Sequence, residues 1–118
     1  MSLDQSIERF GTTPRYSDAV AHAGTVYLVE VPQTLDADIG TQTHEVLASV
    51  ERLLLQAGSD KNRLLMVTLY LRDMADYAAV NAIWDAWLPP GTAPARACLE
   101  AKLANPDFGL EVVVTAAR

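Results

Sequence analysis

The sequence predicts a single domain, residues 1–118, with two helices on one face of one sheet in the order β-β-α-β-α-β-β. Three observations predict it. Two stretches repeat apolar residues at helical spacing, and five short runs rich in Val, Leu and Tyr lie between turn formers. The length of 118 residues, half of them hydrophobic, suits one core rather than two. Right-handed strand–helix–strand crossovers then bring both helices to the same side.

The first two strands read as Ser17–His22 and Thr25–Val31, joined by a tight turn at Ala23-Gly24. "QTLDADIG" is a loop. From Thr41 to Ala57, Val46, Leu47, Val50, Leu53, Leu54 and Ala57 trace one helix face, and Gln42, Glu45, Ser49, Arg52 and Gln56 fill the other. Gly58 is placed to close that helix. Leu65–Leu71 reads as a strand apolar on both sides. Asp73 can cap the second helix, "MADYAAVNAIWDAWLPPG", whose buried side holds Tyr77, Val80, Trp84 and Trp87. Two last strands, Ala95–Leu103 and Leu110–Ala116, read as a closing hairpin around "ANPDFG".

Both helices on one face leave the opposite face without cover inside the chain. Leu65, Val67, Leu69 and Leu71 nevertheless alternate with Met66, Thr68 and Tyr70, and Leu110, Val112 and Val114 with Glu111, Val113 and Thr115. Strands apolar on both sides are ordinarily buried on both. Each apolar side chain left wet forgoes about 1.5–3 kcal/mol. The pattern therefore predicts an oligomer whose copies cover one another's sheets.

Composition excludes several functions. A net charge of −6 opposes nucleic-acid binding. No apolar run reaches the roughly 20 residues of a membrane span, and "MSLDQSIERF" lacks the layout of a signal peptide. One cysteine cannot close an internal disulfide, so a cytoplasmic location is expected. The glycines form no phosphate-binding pattern, and no serine sits in a nucleophile elbow. His22 and His44 have no metal-ligand spacing to Cys98 or to each other. Chemistry without metal or cofactor, or no chemistry, remains.

The chain's last part is more informative. Arg96, Cys98, Glu100 and Lys102 share one strand face. Arg96 follows Pro94-Ala95 where a strand leaves a loop, and its planar fork suits a carboxylate. It could equally be a surface cation paired to Glu100 or Glu111. Cys98 could simply be a small buried hydrophobe. Glu111 interrupts the apolar run "LEVVVTAA" and must find a partner or line a cavity.

"PARACLEAKL…GLEVVVTAAR" resembles the closing signature of the Rid family of enamine/imine deaminases, also called YjgF-like or endoribonuclease L-PSP-like. Arg96 precedes Glu111 by fifteen residues, the family's usual spacing. "DYAAVNAIWDAW" is similar to the family's second helix. "YSDAVAHAGTVYLVEVP" fits its first hairpin, and "LDADIGTQTHEVLASVERLLLQAGSDKNRLLMVTLYLRD" its first helix and third strand. "SDAV", "LDAD" and "NAIWDAW" look like the YoaB-like branch. The resemblance covers nearly the whole chain. It implies a chorismate-mutase-like α+β fold with a mixed sheet, a homotrimer, and interface sites without metal or organic cofactor. Position by position, it implies that Arg96 holds a substrate carboxylate, Glu111 positions the attacking water, and Cys98 lines the pocket. It further implies that Tyr16 closes the site, from the same chain or a neighbouring one, and that Asn81 contributes the helix asparagine, unless Asn81 merely packs.

The family's deaminases usually carry Ser-Gly-Gln before the proline that ends the second strand, where this chain has Leu28-Val29-Glu30. Val29 or Glu30 adds bulk there, and Glu30 is either an outward-facing strand carboxylate or, if it faces the pocket, a negative charge that weakens carboxylate binding or favours a different substrate. Ala97 stands where Ser or Thr is more usual, and Pro106 is one residue late. Hydrolysis of reactive 2-imino acids to 2-keto acids and ammonia is the leading expectation. A trimer that binds a small carboxylate without turnover is the alternative, and a ribonuclease is disfavoured by the acidic composition.

Overall fold

The chain enters the sheet earlier than its alternation predicts. In the computed structural model, which describes residues 6–118, Glu8–Phe10 (β1) pairs antiparallel with Ala19–His22 (β2). Three mostly exposed residues carry no readable period, so this edge strand is added only by its partner. The first five residues of the N-terminal stretch read above lie outside the described residues.

β2 turns into Thr25–Glu30 (β3) through Ala23 and Gly24, at φ +50° and +82°. Positive φ at both central positions is the turn that matches the twist of a two-residue hairpin, and Gly24 adopts it freely. Ile39–Gln56 (α1) follows. Asp38 accepts from Thr41 N–H at 2.8 Å as its N-cap. Gly58 and Ser59 N–H close its end on the Leu55 and Leu54 carbonyls. A short 3₁₀ turn, Lys61–Arg63, leads into Leu64–Leu71 (β4).

The Asp73 carboxylate accepts from Ala75 N–H at 2.9 Å, and Glu100 accepts from Met74 N–H at 3.0 Å. Together they start the 3₁₀ turn Met74–Asp76 that opens Tyr77–Trp87 (α2). Ala95–Glu100 (β5) and Leu110–Ala117 (β6) complete the chain.

The two last strands are not a hairpin. The sheet order is β1-β2-β3-β6-β4-β5. β6 runs antiparallel between β3 and β4, and β5 lies parallel to β4 at the edge. Placing β6 in the centre buries its Leu110, Val112 and Val114 against the helices with Val26, Val67, Leu69 and Leu71. A hairpin would have left the most apolar strand at the rim. β5, ending at Glu100 and not Leu103, carries charge and tolerates the edge better. The result is an α+β fold: a mixed sheet with both helices on one face, as expected.

Smaller expectations also fail: Tyr77, read on the buried side of the second helix, is exposed. A register irregularity between Leu64 and Met66 turns Leu65 out of the series with Val67, and Leu64 takes the core position. Gln42 and Ser49, assigned to the outer helix face, are buried. Gln42, 2 % exposed, donates to the carbonyls of Thr34 and Asp107 and accepts from Gly109 N–H at 2.8 Å. A Cβ on Gly109 would lie 2.6 Å from Gln42 Oε1, so the glycine lets this amide reach the backbone. Gln42 thereby anchors the loop between β5 and β6.

Opposite the helices, nothing among the described residues covers the sheet. Tyr27, Val29, Met66 and Leu99 are exposed there, Val29 at 44 % and Leu99 at 42 %.

Candidate functional site

Register settles how Arg96 and Glu111 lie relative to each other. Arg96 pairs with Val67 and Cys98 with Leu69, both core residues, so Arg96 and Cys98 face the helices. Glu111 alternates with buried Leu110 and Val112 and faces the uncovered side, level with Tyr70 on β4. Within one chain the two residues occupy opposite faces, with β4 between their strands.

Arg96 lies at the sheet edge beneath α2. Its guanidinium carbon is 5.4 Å from the centre of the Trp84 ring and 6.0 Å from that of Tyr77. One terminal nitrogen donates a long hydrogen bond, 3.5 Å, to Tyr77 Oη. Among the described residues the ion pairs are Lys61–Glu51 and Arg118–Glu8, and Arg96 belongs to neither. Glu100, on the same strand face, is engaged with Met74 N–H. The simple surface salt bridge that the sequence allowed for Arg96 is thus not formed.

Cys98 packs against the core beside Arg96. Burial pushes its thiol above the ordinary value, while the Arg96 charge pulls the other way. A thiol raised on balance stays protonated near neutral pH and is a poor nucleophile. Asn81 is half-buried on the stripe of α2 that carries Tyr77 and Trp84.

The second cluster is a cleft of about 470 Å³ at the far end of β3 and β6. Tyr16, Asp18, Val29, Glu30, Phe108 and Glu111 are among its lining residues. Tyr16 is set at its mouth by a self-contained turn: Thr13 N–H donates to the Tyr16 carbonyl at 2.7 Å, and Tyr16 N–H donates back to Thr13 Oγ1 at 3.1 Å. Val29 N–H donates to the Asp18 carbonyl and ties that stretch to β3. Phe108 arrives on the loop held by Gln42.

Glu30 therefore does line the cleft. Burial first, and the neighbouring Asp18 second, raise its pKa above the usual carboxylate value, against the opposing pull of Arg52 and a hydrogen bond from Val31 N–H. Three carboxylates and no cation line this cavity, so any guanidinium must come from elsewhere. Among the described residues, no group of three or more His, Cys, Asp and Glu side chains could hold a metal ion.

The structure brings Tyr16 and Glu111 into one cleft, and Arg96 and Cys98 together at the β5 edge, with Asn81 on the overlying helix. It does not join the two groups within a chain. Sequence reasoning missed Asp18 and Phe108 as cleft residues, and the rings above Arg96. The Tyr77–Trp84 spacing of seven residues was a usable signal, but only β5 lying parallel to β4 brings Arg96 under that stripe.

A family model described as "Endoribonuclease L-PSP" matches residues 6–118. The chain belongs to that family, whose relatives carry the names YjgF and RutC. A RutC family protein of Haemophilus ducreyi is 42% identical over 112 residues, 94% of this chain and 96% of that one. The RutC family protein YoaB of Escherichia coli strain K12 is 41% identical, covering 95% of this chain and 98% of YoaB. Among solved structures, a member of the YjgF protein family from Neisseria meningitidis superposes with a TM-score of 0.91 at 46% identity, over 97% of this chain and 96% of that one. A protein of Salmonella typhimurium described as a putative translation initiation inhibitor gives 0.90 at 41% identity, over 98% and 100%. YjgF-family membership thus accounts for the mixed sheet with two helices on one face.

Proposed function

We propose that this YjgF-family chain is a cofactor-independent deaminase. It hydrolyses small reactive 2-imino acids to 2-keto acids and ammonia, as a cytoplasmic homotrimer with sites between copies. The reading rests foremost on Arg96, a half-buried guanidinium that has no carboxylate partner among the described residues. A cation in that setting is a receptor for an anion. Because Arg96 and Glu111 face opposite sides of the sheet, the site takes Arg96 and Cys98 from one copy. The neighbour supplies the cleft with Glu111 and Tyr16. The uncovered apolar face supplies the contact surface.

The chemistry follows from those parts. Arg96 binds the substrate carboxylate and turns the adjacent C=N carbon toward a water at Glu111. Glu111 removes a proton from that water as oxygen bonds to carbon and the C=N π pair moves to nitrogen, which takes up a proton. Collapse of the carbinolamine breaks the C–N bond and releases ammonia and the keto acid. General-base assistance of this kind contributes roughly 10²–10⁴-fold. Cys98 contributes bulk and a weak dipole to the pocket wall, and Asn81 an amide near its rim.

Glu30 favours a second reading, in which the same assembly binds a carboxylate without turning it over, since Glu30 and Asp18 add negative charge to the cleft. The net charge of −6 and this acidic lining weigh against an RNA substrate. A coupled assay decides between these readings. An amino-acid oxidase generates the imine, and its loss is followed with wild type, Arg96→Ala and Glu111→Ala. Deamination predicts acceleration by wild type and a loss of at least ~10²-fold in both variants. Equal rates with and without protein remove the enzyme reading. Stabilisation of wild type by a 2-keto acid, without turnover, would establish the binding reading.

A further inference from the structure

We infer that Tyr77 and Trp84 are positioning residues: together they clamp the Arg96 guanidinium and present it to the ligand carboxylate. The inference deepens the proposed function and rests on its assignment of Arg96.

An arginine at a sheet edge is ordinarily a poor receptor, because its long side chain samples many rotamers and must be ordered when the ligand arrives. Here two rings on α2 remove that freedom in advance. Both lie at cation–π distance from the same guanidinium, 5.4 Å for Trp84 and 6.0 Å for Tyr77. Trp84 is 5 % exposed and anchored in the core, so its ring is a rigid wall. Tyr77 is 41 % exposed and lies one helical heptad away, closing the cation from the solvent side. A ring attracts a cation without neutralising it, whereas a carboxylate partner would compete with the substrate. Apart from the long contact to Tyr77 Oη, no hydrogen bond to the guanidinium is made among the described residues. The start of α2 is itself stapled to β5, since Glu100 accepts from Met74 N–H four residues along the strand from Arg96. The clamp and its cation therefore move as one unit.

The test uses Tyr77 because an exposed ring can be removed without opening the core. Wild type, Tyr77→Leu, Tyr77→Phe and Arg96→Ala are titrated with 2-oxobutanoate by calorimetry, and the imine assay is run on all four. The clamp predicts that Tyr77→Leu weakens binding roughly tenfold and raises KM with little change in kcat, since the lost interaction serves bound ligand and transition state alike. Tyr77→Phe, which keeps the ring, stays within about twofold of wild type. A Tyr77→Leu variant that binds as wild type does, while Arg96→Ala does not bind, overturns the clamp and leaves the carboxylate site standing. Loss in Tyr77→Phe equal to that in Tyr77→Leu overturns the ring in favour of the hydroxyl. Undiminished binding by Arg96→Ala overturns the assignment of Arg96 and the clamp's role with it. An independent readout needs no ligand: the Arg96 Nε–Hε resonance, assigned by its loss in Arg96→Lys. The clamp predicts a ring-current shift that Tyr77→Leu reduces, and a free-arginine position in wild type overturns it.

Discussion

On β6, Leu110, Val112, Val114 and Ala116 turn toward the helices and are buried, whereas Glu111, Val113, Thr115 and Ala117 turn away and stay half-exposed. The two sets share one backbone and one register, and each holds Val and Ala, though the second also carries Glu111 and Thr115. They differ in what covers them. α1 packs on the first set, and nothing among the described residues covers the second. The lesson is that apolar alternation on a central strand reports two different obligations, one met by folding and one that the proposed assembly would meet.

The comparison breaks most severely on the covered side. Leu69→Ala empties a fully buried position between α-facing neighbours and is expected to lower unfolding free energy by about 2–5 kcal/mol, measured by urea denaturation. On the uncovered side, β6 should respond differently from this β4 position. If the proposed trimer forms through this face, Val113→Asp is expected to leave monomers in sedimentation while the far-ultraviolet dichroism of the fold persists. A variant that stays assembled would mean that this face is not the contact surface. The smallest effect concerns Glu30, at the boundary of the two sides. Its pKa is raised in the folded state, so the protonated form is favoured there, and stability falls as pH rises through that raised value. Glu30→Gln should therefore raise Tm modestly at pH 7 to 8. The gain should shrink as pH drops toward the ordinary carboxylate value of 4.5 and disappear below it. Unchanged Tm at pH 7 would mean that the cleft tolerates the charge without cost.

Much of this was legible in the residues. The helical spacing of Val46, Val50 and Leu54, the Ala23-Gly24 turn and the period-two runs located five strands and both helices. They also left one face of the sheet unaccounted for. What alternation cannot encode is which strands are neighbours. Adjacent strands in sequence were read as a hairpin, but β6 has two apolar faces and gains more in the centre, and β5 reaches its parallel partner through α2. Alternation likewise placed Arg96 with Cys98 and set Glu111 against Val112. Only pairing to Val67 and Tyr70 assigned those rows to opposite faces. Gln42 was misread for a related reason: a polar residue looks outward in a periodic pattern unless the loop carbonyls it serves are known. Tyr16 and Glu111 were each named through the family resemblance, but that both line one chain's cleft came only from the fold. Asp18 and Phe108 were missed because tertiary closure alone brings them to the cleft.

The split of Arg96 and Glu111 across the sheet has a consequence for a freshly synthesised copy. In the proposed assembly such a copy would be catalytically silent however well it folds, because it holds both halves of a reaction centre pointing away from each other. Encounter with its siblings, rather than any covalent or metabolic signal, would be the event that switches the chemistry on.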